Sequence, residues 1–407
     1  MTRSPQPAPS PPDDGVDGRL NRFVYGLYAG AGRPGGEQAA PGAIVSDAGL
    51  VDAILRAPDR FQKNFSLIAA LGHSRFSTNG EEWRQRRDLT QPVYARAGVP
   101  GNRATVAATY AEALEACAEL TPQAVQRALL LASTRIFFLA FGCNVATEPL
   151  LDVFARARRV LKQLQYYSWV VPTAGQASLM AVEVKCLFAD FEREVARAPE
   201  LQKLVQGLQR SGGNIDNFAA LEEILMNVLA GIETTAATLS FAIDRLGIDA
   251  RVQRRLRDEV DAGAGPYLDC FINETMRYFP PIPFVVRQAT ADTAIGGTEF
   301  KQGKLLVLSV VGVHHDPRFW REPEIFDSAR AEFIDDSYDR RAFLPFLAGP
   351  RMCGGAKLAG LELREGLKAF IRRFNVERQG DEIQFDYGVT LRPNSWDRVT
   401  ISRRTAN

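Results

Sequence analysis

The sequence predicts a mainly α-helical chain with small β-sheets, an α+β class in which helices dominate. Two long stretches carry that reading. Across residues 103–191 apolar side chains recur at helical spacing in a background rich in Ala, Leu and Arg. Across 217–246 a single long helix is marked by Leu221, Leu225, Val228, Ile232, Leu239 and Ile243 on one face. The β signals, at 294–313, 383–391 and 399–401, are short and lie in the second half of the chain.

Composition narrows the function classes. Lys plus Arg number 49 against 48 for Asp plus Glu, so no global field points to nucleic acid or to an anionic membrane. The apolar fraction of 46% is ordinary for a soluble globular protein with a large core. Cysteines stand at 117, 143, 186, 270 and 353; five scattered cysteines form no disulfide framework, which suits a reducing cytoplasm. Residues 1–18 are expected to be a flexible Pro-rich tail, without the apolar core of a signal peptide or membrane anchor.

Taken in order, the first motif on paper is G-x-G-x-x-G at residues 30–35. It is rejected as a dinucleotide site, because Pro34 interrupts it and no amphipathic helix follows. Residues 47–55 read as a short helix with Asp47 as N-cap. Gly80 opens another, on which Trp83 and Arg87 are one turn apart and can face the same partner, while Arg84 and Arg86 point elsewhere. Residues 137–141 and 161–171 supply apolar faces; Leu164, Tyr166, Tyr167, Trp169 and Val170 are read mostly as core.

The long helix has a weak spot. Ala230-Gly231-Ile232-Glu233-Thr234-Thr235 places a glycine, a charge and two threonines inside an apolar helix, where they lower its stability. A chain that keeps such a defect usually uses it. Gly231 can let the helix open, and Thr234 can bond back to a carbonyl or hold a water. Further on, Pro266 begins a helix to about residue 279, with Glu274 and Arg277 on one face. Residues 280–287 are stiff and extended, and 294–313 read as one β-hairpin.

Residues 346–355, FLAGPRMCGG, are the chemical centre of the chain. An apolar run enters a turn at Gly349-Pro350 and a helix pattern starts after Gly355. Cys353 is thus expected near a helix N-terminus, two residues from Arg351, a setting that favours a thiolate. Gly355 lets the backbone approach something large and flat. A thiolate there can be a nucleophile, half of a redox pair or a metal ligand. The only histidines, His73, His314 and His315, show no evident acid or amide pairing, and no second cysteine suits C-x-x-C or zinc chemistry. A single thiolate on haem iron fits best, since haem needs only one strong protein ligand.

At this point the sequence resembles the cytochrome P-450 family. Phe346, Gly349, Arg351, Cys353 and Gly355 match its F-x-x-G-x-R-x-C-x-G haem signature, followed by Ala359 and Glu362 where the family often has them. Residues 230–235 match its [AG]-G-x-[DE]-T-[TS] element, W-x-x-x-R at Trp83 and Arg87 matches its propionate-holding element, and Glu274 with Arg277 matches its E-x-x-R, with Arg330 as the expected third member. The resemblance runs from about residue 83 to 393 and implies one domain, residues 19–407, against the two or three that length alone would suggest.

The resemblance also implies roles. Cys353 would be the axial ligand of haem b (iron protoporphyrin IX), with Arg287, Arg87 and Trp83 on its propionates and Arg351, Phe346, Gly349, Gly355, Ala230 and Gly231 also binding it. Thr234 would donate a hydrogen bond to dioxygen and Glu233 would relay protons. Pro283, Phe284, Val285, Val286, Val389 and Thr390 would line a substrate pocket, and Glu274, Arg277 and Arg330 would be structural. The implied activity is haem-thiolate monooxygenation of a hydrophobic or amphipathic small molecule, by hydroxylation or epoxidation, with secondary metabolism as a setting. Electrons would come from a separate ferredoxin and its reductase, since the length leaves no room for a fused flavin domain, and Arg84 and Arg86 would be a docking patch or solvated charge. A peroxide-using or rearranging relative, and a non-catalytic haem-thiolate sensor, are the alternatives.

Overall fold

A computed structural model describes residues 16–30, 42–64, 68–167, 172–263, 265–382, 384–394 and 396–404. The rejected glycine motif, most of the N-terminal tail, and Trp169 with Val170 fall outside the described residues. The helices are α1 (Val16–Ala29), α2 (Ala48–Leu55), α3 (Gly80–Ala97), α4 (Arg103–Glu115), α5 (Pro122–Ala140), α6 (Glu148–Tyr167) and α7 (Ala174–Arg197). They continue with α8 (Pro199–Ser211), α9 (Ala220–Leu246), α10 (Ala250–Asp261), α11 (Pro266–Tyr278), the short α12 (Val310–His314) and α13 (Ala331–Ile334), and α14 (Ala356–Arg373).

Local chemistry explains where several of these start. The Asp47 carboxylate accepts the Leu50 N–H at 2.9 Å, which caps α2 as expected. Thr173 and Gln176 form a reciprocal capping box on α7, and proline occupies the first turn of α5, α8 and α11. The centre of the molecule is α9. It packs against α5, α8, α11 and α14, and Leu239 and Ile243 are fully buried, each contributing about 1.5–3 kcal/mol. This helix is also long and apolar enough to cross a membrane, but 78% of its most apolar window is buried inside the molecule, as for a core helix.

The β portion is small and peripheral. Strands β1 (Ala43–Val45), β2 (Phe61–Gln62), β3 (Phe284–Ala289) and β6 (Leu305–Ser309) form a four-stranded sheet in the order β1-β6-β3-β2. β4 (Thr293–Ile295) and β5 (Thr298–Phe300) form a hairpin turning at Gly296-Gly297, both at positive φ, which matches the twist of the paired strands. The single hairpin expected over 294–313 is therefore divided. The β6 run Leu-Leu-Val-Leu-Ser is buried along most of its length, so it leaves the β4–β5 hairpin to pair with β3 and β1, and the chain then turns into α12. Likewise 383–391 is not one strand: β8 (Phe385–Tyr387) pairs with β9 (Leu391–Pro393), and residue 383 is outside the described set. β10 (Val399–Arg403) pairs with β7 (Phe374–Arg378).

Glu274, Arg277 and Arg330 form the expected buried triad. Arg277 Nε lies 2.7 Å and Arg330 Nε 2.8 Å from Glu274 Oε2, and none of the three is more than 2% exposed. Arg277 also donates to the carbonyl of His314 at 2.8 Å. The His314 ring, neutral because burial pushes its pKa down to about 3, accepts the Leu344 N–H through Nε2 at 2.8 Å. Leu344 begins the approach to Cys353, so the triad is tied by one histidine to the cysteine loop.

Candidate haem-thiolate site

The cysteine loop is a set of turns closed on itself. The Cys353 N–H donates to Phe346 O at 2.9 Å, Met352 N–H to Gly349 O at 3.1 Å, and Ala359 N–H to Gly355 O at 2.8 Å. Gly349 has φ +73°, and a Cβ there would lie 2.5 Å from the Leu55 carbonyl oxygen, so only glycine fits between this loop and the end of α2. Gly354 was not singled out in the sequence, yet a Cβ on it would collide with the Arg75 guanidinium.

Cys353 is exposed, but to a deep cavity rather than to bulk water. Burial pushes its thiol up, opposed by the Gly355 N–H and by the charges of Arg75 and Lys63. Burial thus opposes the thiolate that the helix end and Arg351 are expected to favour. Desolvation outweighs the dipole, and Arg351 is engaged elsewhere: its Nη2 donates to Thr78 O at 2.8 Å and its guanidinium stacks on Trp83 at 4.3 Å.

The cavity has about 1880 Å³ of atom-free space, its open mouth included. One wall is the cysteine loop, with Phe346 and Gly355; the facing wall is α9, with Ala230, Gly231 and Thr234. Ala230 and Gly231 are exposed on a helix that is otherwise largely buried along this stretch, and the exposure is to the cavity. Thr234 Oγ1 donates back to Ala230 O at 3.0 Å, as expected for a threonine in a helix interior. The helix itself runs unbroken through Gly231, so no opening is present there.

Glu233 faces away from this cavity. It is 8% exposed, lies 3.4 Å from Arg158 Nη1 on α6, and its carboxyl is pushed up by burial against the lowering charges of Arg158 and Arg392. Among the pocket-wall expectations, Val285, Val389 and Thr390 line the cavity, whereas Pro283, Phe284 and Val286 do not. For Phe284 and Val286 the reason is strand alternation; Pro283 precedes the strand. Val285 and Arg287 point inward, so Phe284 turns to the other side, where its ring meets Phe23 at 5.1 Å, and Val286 packs in the same cluster. Pro281 and Ile282 take the inner positions instead.

Cations gather along one side of the cavity. Arg287 is 2% exposed, with Nη1 on the Val286 carbonyl and Nη2 without a hydrogen-bond partner among the described residues; burial pulls its pKa down to about 10. Burial and the charges of Arg287 and Arg75 pull Arg351 down to about 9. Arg75 and Lys63, which no motif marked, complete the group, with Lys63 Nζ donating to Phe76 O at 3.0 Å. Trp83 lines the cavity as expected, but Arg87 does not: its guanidinium lies 2.7 Å from Asp88 and 5.1 Å from the Trp83 ring, about a third exposed.

One further expectation on α3 is corrected. Arg86 is neither a docking patch nor solvated; it is fully buried, 3.0 Å from Glu223 on α9. Arg84 is exposed and pairs with Asp59 and Glu81. His73 also has an acid partner that the sequence did not reveal, Glu82 at 3.0 Å.

A family model described as Cytochrome P-450 matches residues 198–396, the segment that contains α9, the buried triad and the cysteine loop. That segment belongs to the cytochrome P-450 family. Relatives include cytochrome P-450 4V2 of Mus musculus, 31% identical over 222 residues, covering 50% of this chain and 42% of the relative. Cytochrome P-450 3A5 of Homo sapiens is 34% identical over 163 residues, covering 37% and 32%. The matched part of the chain thus spans about two fifths or less of these relatives' length. Among solved structures, a zebra fish cytochrome P-450 with abiraterone superposes with a TM-score of 0.71 at 23% identity, covering 93% of this chain and 99% of that one. The haem domain of cytochrome P-450DA gives 0.70 at 21% identity over 89% and 88%. At those identities the likeness establishes the fold.

Members of the cytochrome P-450 family hold haem, and the residues present here fit that group. One thiol lines the cavity, small residues leave both walls bare beside it, and the buried Arg287, with an unpartnered nitrogen among the described residues, and the half-buried Arg351 suit the two carboxylates on one edge of the macrocycle.

Proposed function

We propose that this chain is a haem-thiolate monooxygenase, transferring one oxygen atom from O2 to a hydrophobic or amphipathic small molecule. The observation that carries this reading is the facing of Cys353 by Thr234 and Gly231 across one cavity, with the cations along its side. When bound, the haem supplies reductive activation of dioxygen and the oxygen-atom transfer. Cys353 would hold it through sulfur, and Arg287 and Arg351 would anchor its acidic edge.

The other groups act around that centre. Thr234 would turn its hydroxyl from the Ala230 carbonyl toward the cavity and deliver protons there. Glu233, behind the helix, would collect them from the Arg158 side, where α6 is partly exposed. Apolar side chains such as Phe76, Phe137, Leu161, Leu229 and Val389 on the cavity wall favour an apolar substrate over a sugar or nucleotide. We further propose haem b as the cofactor, a ferredoxin with its reductase as electron donor, residues 19–407 as one working domain, and a cytoplasmic enzyme of secondary metabolism acting by hydroxylation or epoxidation.

The experiment is the reduced, carbon-monoxide-bound difference spectrum of the purified protein. A strongly red-shifted Soret band, lost in Cys353→Ala, supports the reading. A band at the histidine-haem position in the unaltered protein, or an unchanged band in Cys353→Ala, overturns it.

A further inference from the structure

We infer that Arg75 and Lys63, with Arg287 and Arg351, hold the acidic edge of the haem in this chain, and that Arg87 does not. The inference rests on the haem reading above. It departs from the motif that singled out Arg87, and it assigns a binding role to two residues that no sequence pattern marks.

Three observations carry it. The first is position: Lys63, Arg75, Arg287 and Arg351 all line the cavity and lie close enough that the charges of the three arginines bear on Lys63, whereas Arg87 is outside. The second is supply of free donors. Arg75, Arg287 and Arg351 have no carboxylate within ion-pair distance among the described residues. Among the described residues the Arg75 guanidinium bonds only neutral groups, Thr90 Oγ1 at 3.2 Å and Gln91 Oε1 at 2.5 Å, and Arg287 Nη2 has no hydrogen-bond partner. Arg87 is already neutralised by Asp88. The third is charge balance. Arg287, which is buried, and the half-buried Lys63, Arg75 and Arg351 repel one another across the cavity, and desolvation lowers all four. A ligand with two carboxylates supplies two negative charges to that group without calling on a fifth cation.

Arg75 is also built into place. Its backbone N–H donates to both oxygens of the buried Glu223, at 3.0 and 3.1 Å, and its guanidinium packs on the bare backbone of Gly354, next to the cysteine. The segment between β2 and α3 is thereby pinned to α9 at one end and to the cysteine loop at the other, with its cation between them.

The test is haem retention, read as the rate of haem transfer from the loaded protein to excess apomyoglobin. Variants are Arg75→Gln, Lys63→Met and Arg87→Gln, each compared for native haem and for the dimethyl ester of haem, which carries no carboxylates. Losing one charge-assisted contact should speed haem loss about 10- to 100-fold in Arg75→Gln and in Lys63→Met. Arg87→Gln should stay within about twofold of the unaltered protein. With the dimethyl ester, Arg75→Gln and the unaltered protein should become alike, and Arg75→Lys should recover part of the retention of native haem.

Fast loss in Arg87→Gln with normal retention in Arg75→Gln and Lys63→Met overturns the inference. So does an Arg75→Gln defect of equal size for both haems, which would mark a packing role. If Arg75→Gln fails to fold, Arg75→Lys and Lys63→Met decide by the same comparison. An unaltered protein that takes up no haem defeats the proposed function itself.

Discussion

Replacing Glu274 by Gln changes one atom and should cost the fold about 3–5 kcal/mol, a large share of the stability of a typical protein. The Glu274 carboxylate accepts five hydrogen bonds: two from Arg277, two from Arg330 and one from the Asp327 N–H. Glutamine keeps the shape but presents two donors where two guanidinium groups donate, and it leaves the buried Arg277 without its ion-pair partner and Arg330 with Glu332 alone, 3.7 Å away. The urea midpoint of the haem-loaded protein, followed by far-UV circular dichroism, measures the loss. Because Arg277 reaches the His314 carbonyl and His314 in turn holds Leu344, the red-shifted carbon-monoxide band should weaken in parallel.

A triple variant separates charge balance from backbone support. Glu274→Leu, Arg277→Met and Arg330→Met together remove all three charges, and buried ion groups replaced in this way often lose little stability. Here the two arginines also donate to the carbonyls of His314, Pro323, Ile325 and Arg321, which apolar side chains would leave unsatisfied. The triple variant should therefore remain at least about 2 kcal/mol below the unaltered protein. A Glu274→Gln midpoint within about 1 kcal/mol of the original, or full recovery in the triple variant, refutes the reasoning.

Gly349→Ala forces a Cβ to within 2.5 Å of the Leu55 oxygen at φ +73°, and should cost about 2–4 kcal/mol in the same urea assay; an unchanged midpoint would mean the loop can rotate freely. Glu362 gives a pH dependence, since burial holds its carboxyl up to about 8 against the ordinary 4.5, despite bonds from Tyr110 and Ser133. Between those values the folded chain keeps a proton that the unfolded chain releases, so its contribution to stability falls as pH rises through that window. Glu362→Gln should accordingly gain on the unaltered protein from pH 5 to pH 8, by up to about 4 kcal/mol in urea denaturation; a gain in the opposite direction would refute the assignment. Thr234→Ala should keep the urea midpoint within about 1 kcal/mol and keep the carbon-monoxide band, because its bond is internal to α9, yet yield at least about tenfold less product per electron consumed.

What the sequence made legible is chemistry confined to one short segment. The Cys353 loop, the Thr234 turn of α9 and the Glu274–Arg277 pair each fix their residues by local spacing, and the structure places all of them together around or beside one cavity. Arg75 and Lys63 were silent because distant partners position them: Arg75 is held by Glu223, 148 residues downstream. The pocket wall at 281–287 was legible as a wall but not in phase, since Pro-Ile-Pro-Phe-Val-Val offers an apolar side chain to either face. Pairing of β3 with β6 sets the phase that sends Val285 and Arg287 inward.

The same problem of phase accounts for both errors on α3. From Trp83, Arg86 and Arg87 are three and four residues away, and helix geometry lets either share its face. The choice is made by α9. Glu223, buried at 1% exposure, needs a counter-charge, and only one arginine of α3 can reach it at a given rotation of the helix. Arg86 takes that place, with Glu82 and the carbonyls of His73, Asp216 and Asn217 completing its bonds. Arg87 stays within about 40° of Trp83 around the helix, and it is the guanidinium that turns away, onto Asp88. The burial of one ion pair thus fixes the rotation of α3, the pairing with Asp88 holds Arg87 off the cavity, and the cations on the cavity side come from the loop that carries Lys63 and Arg75.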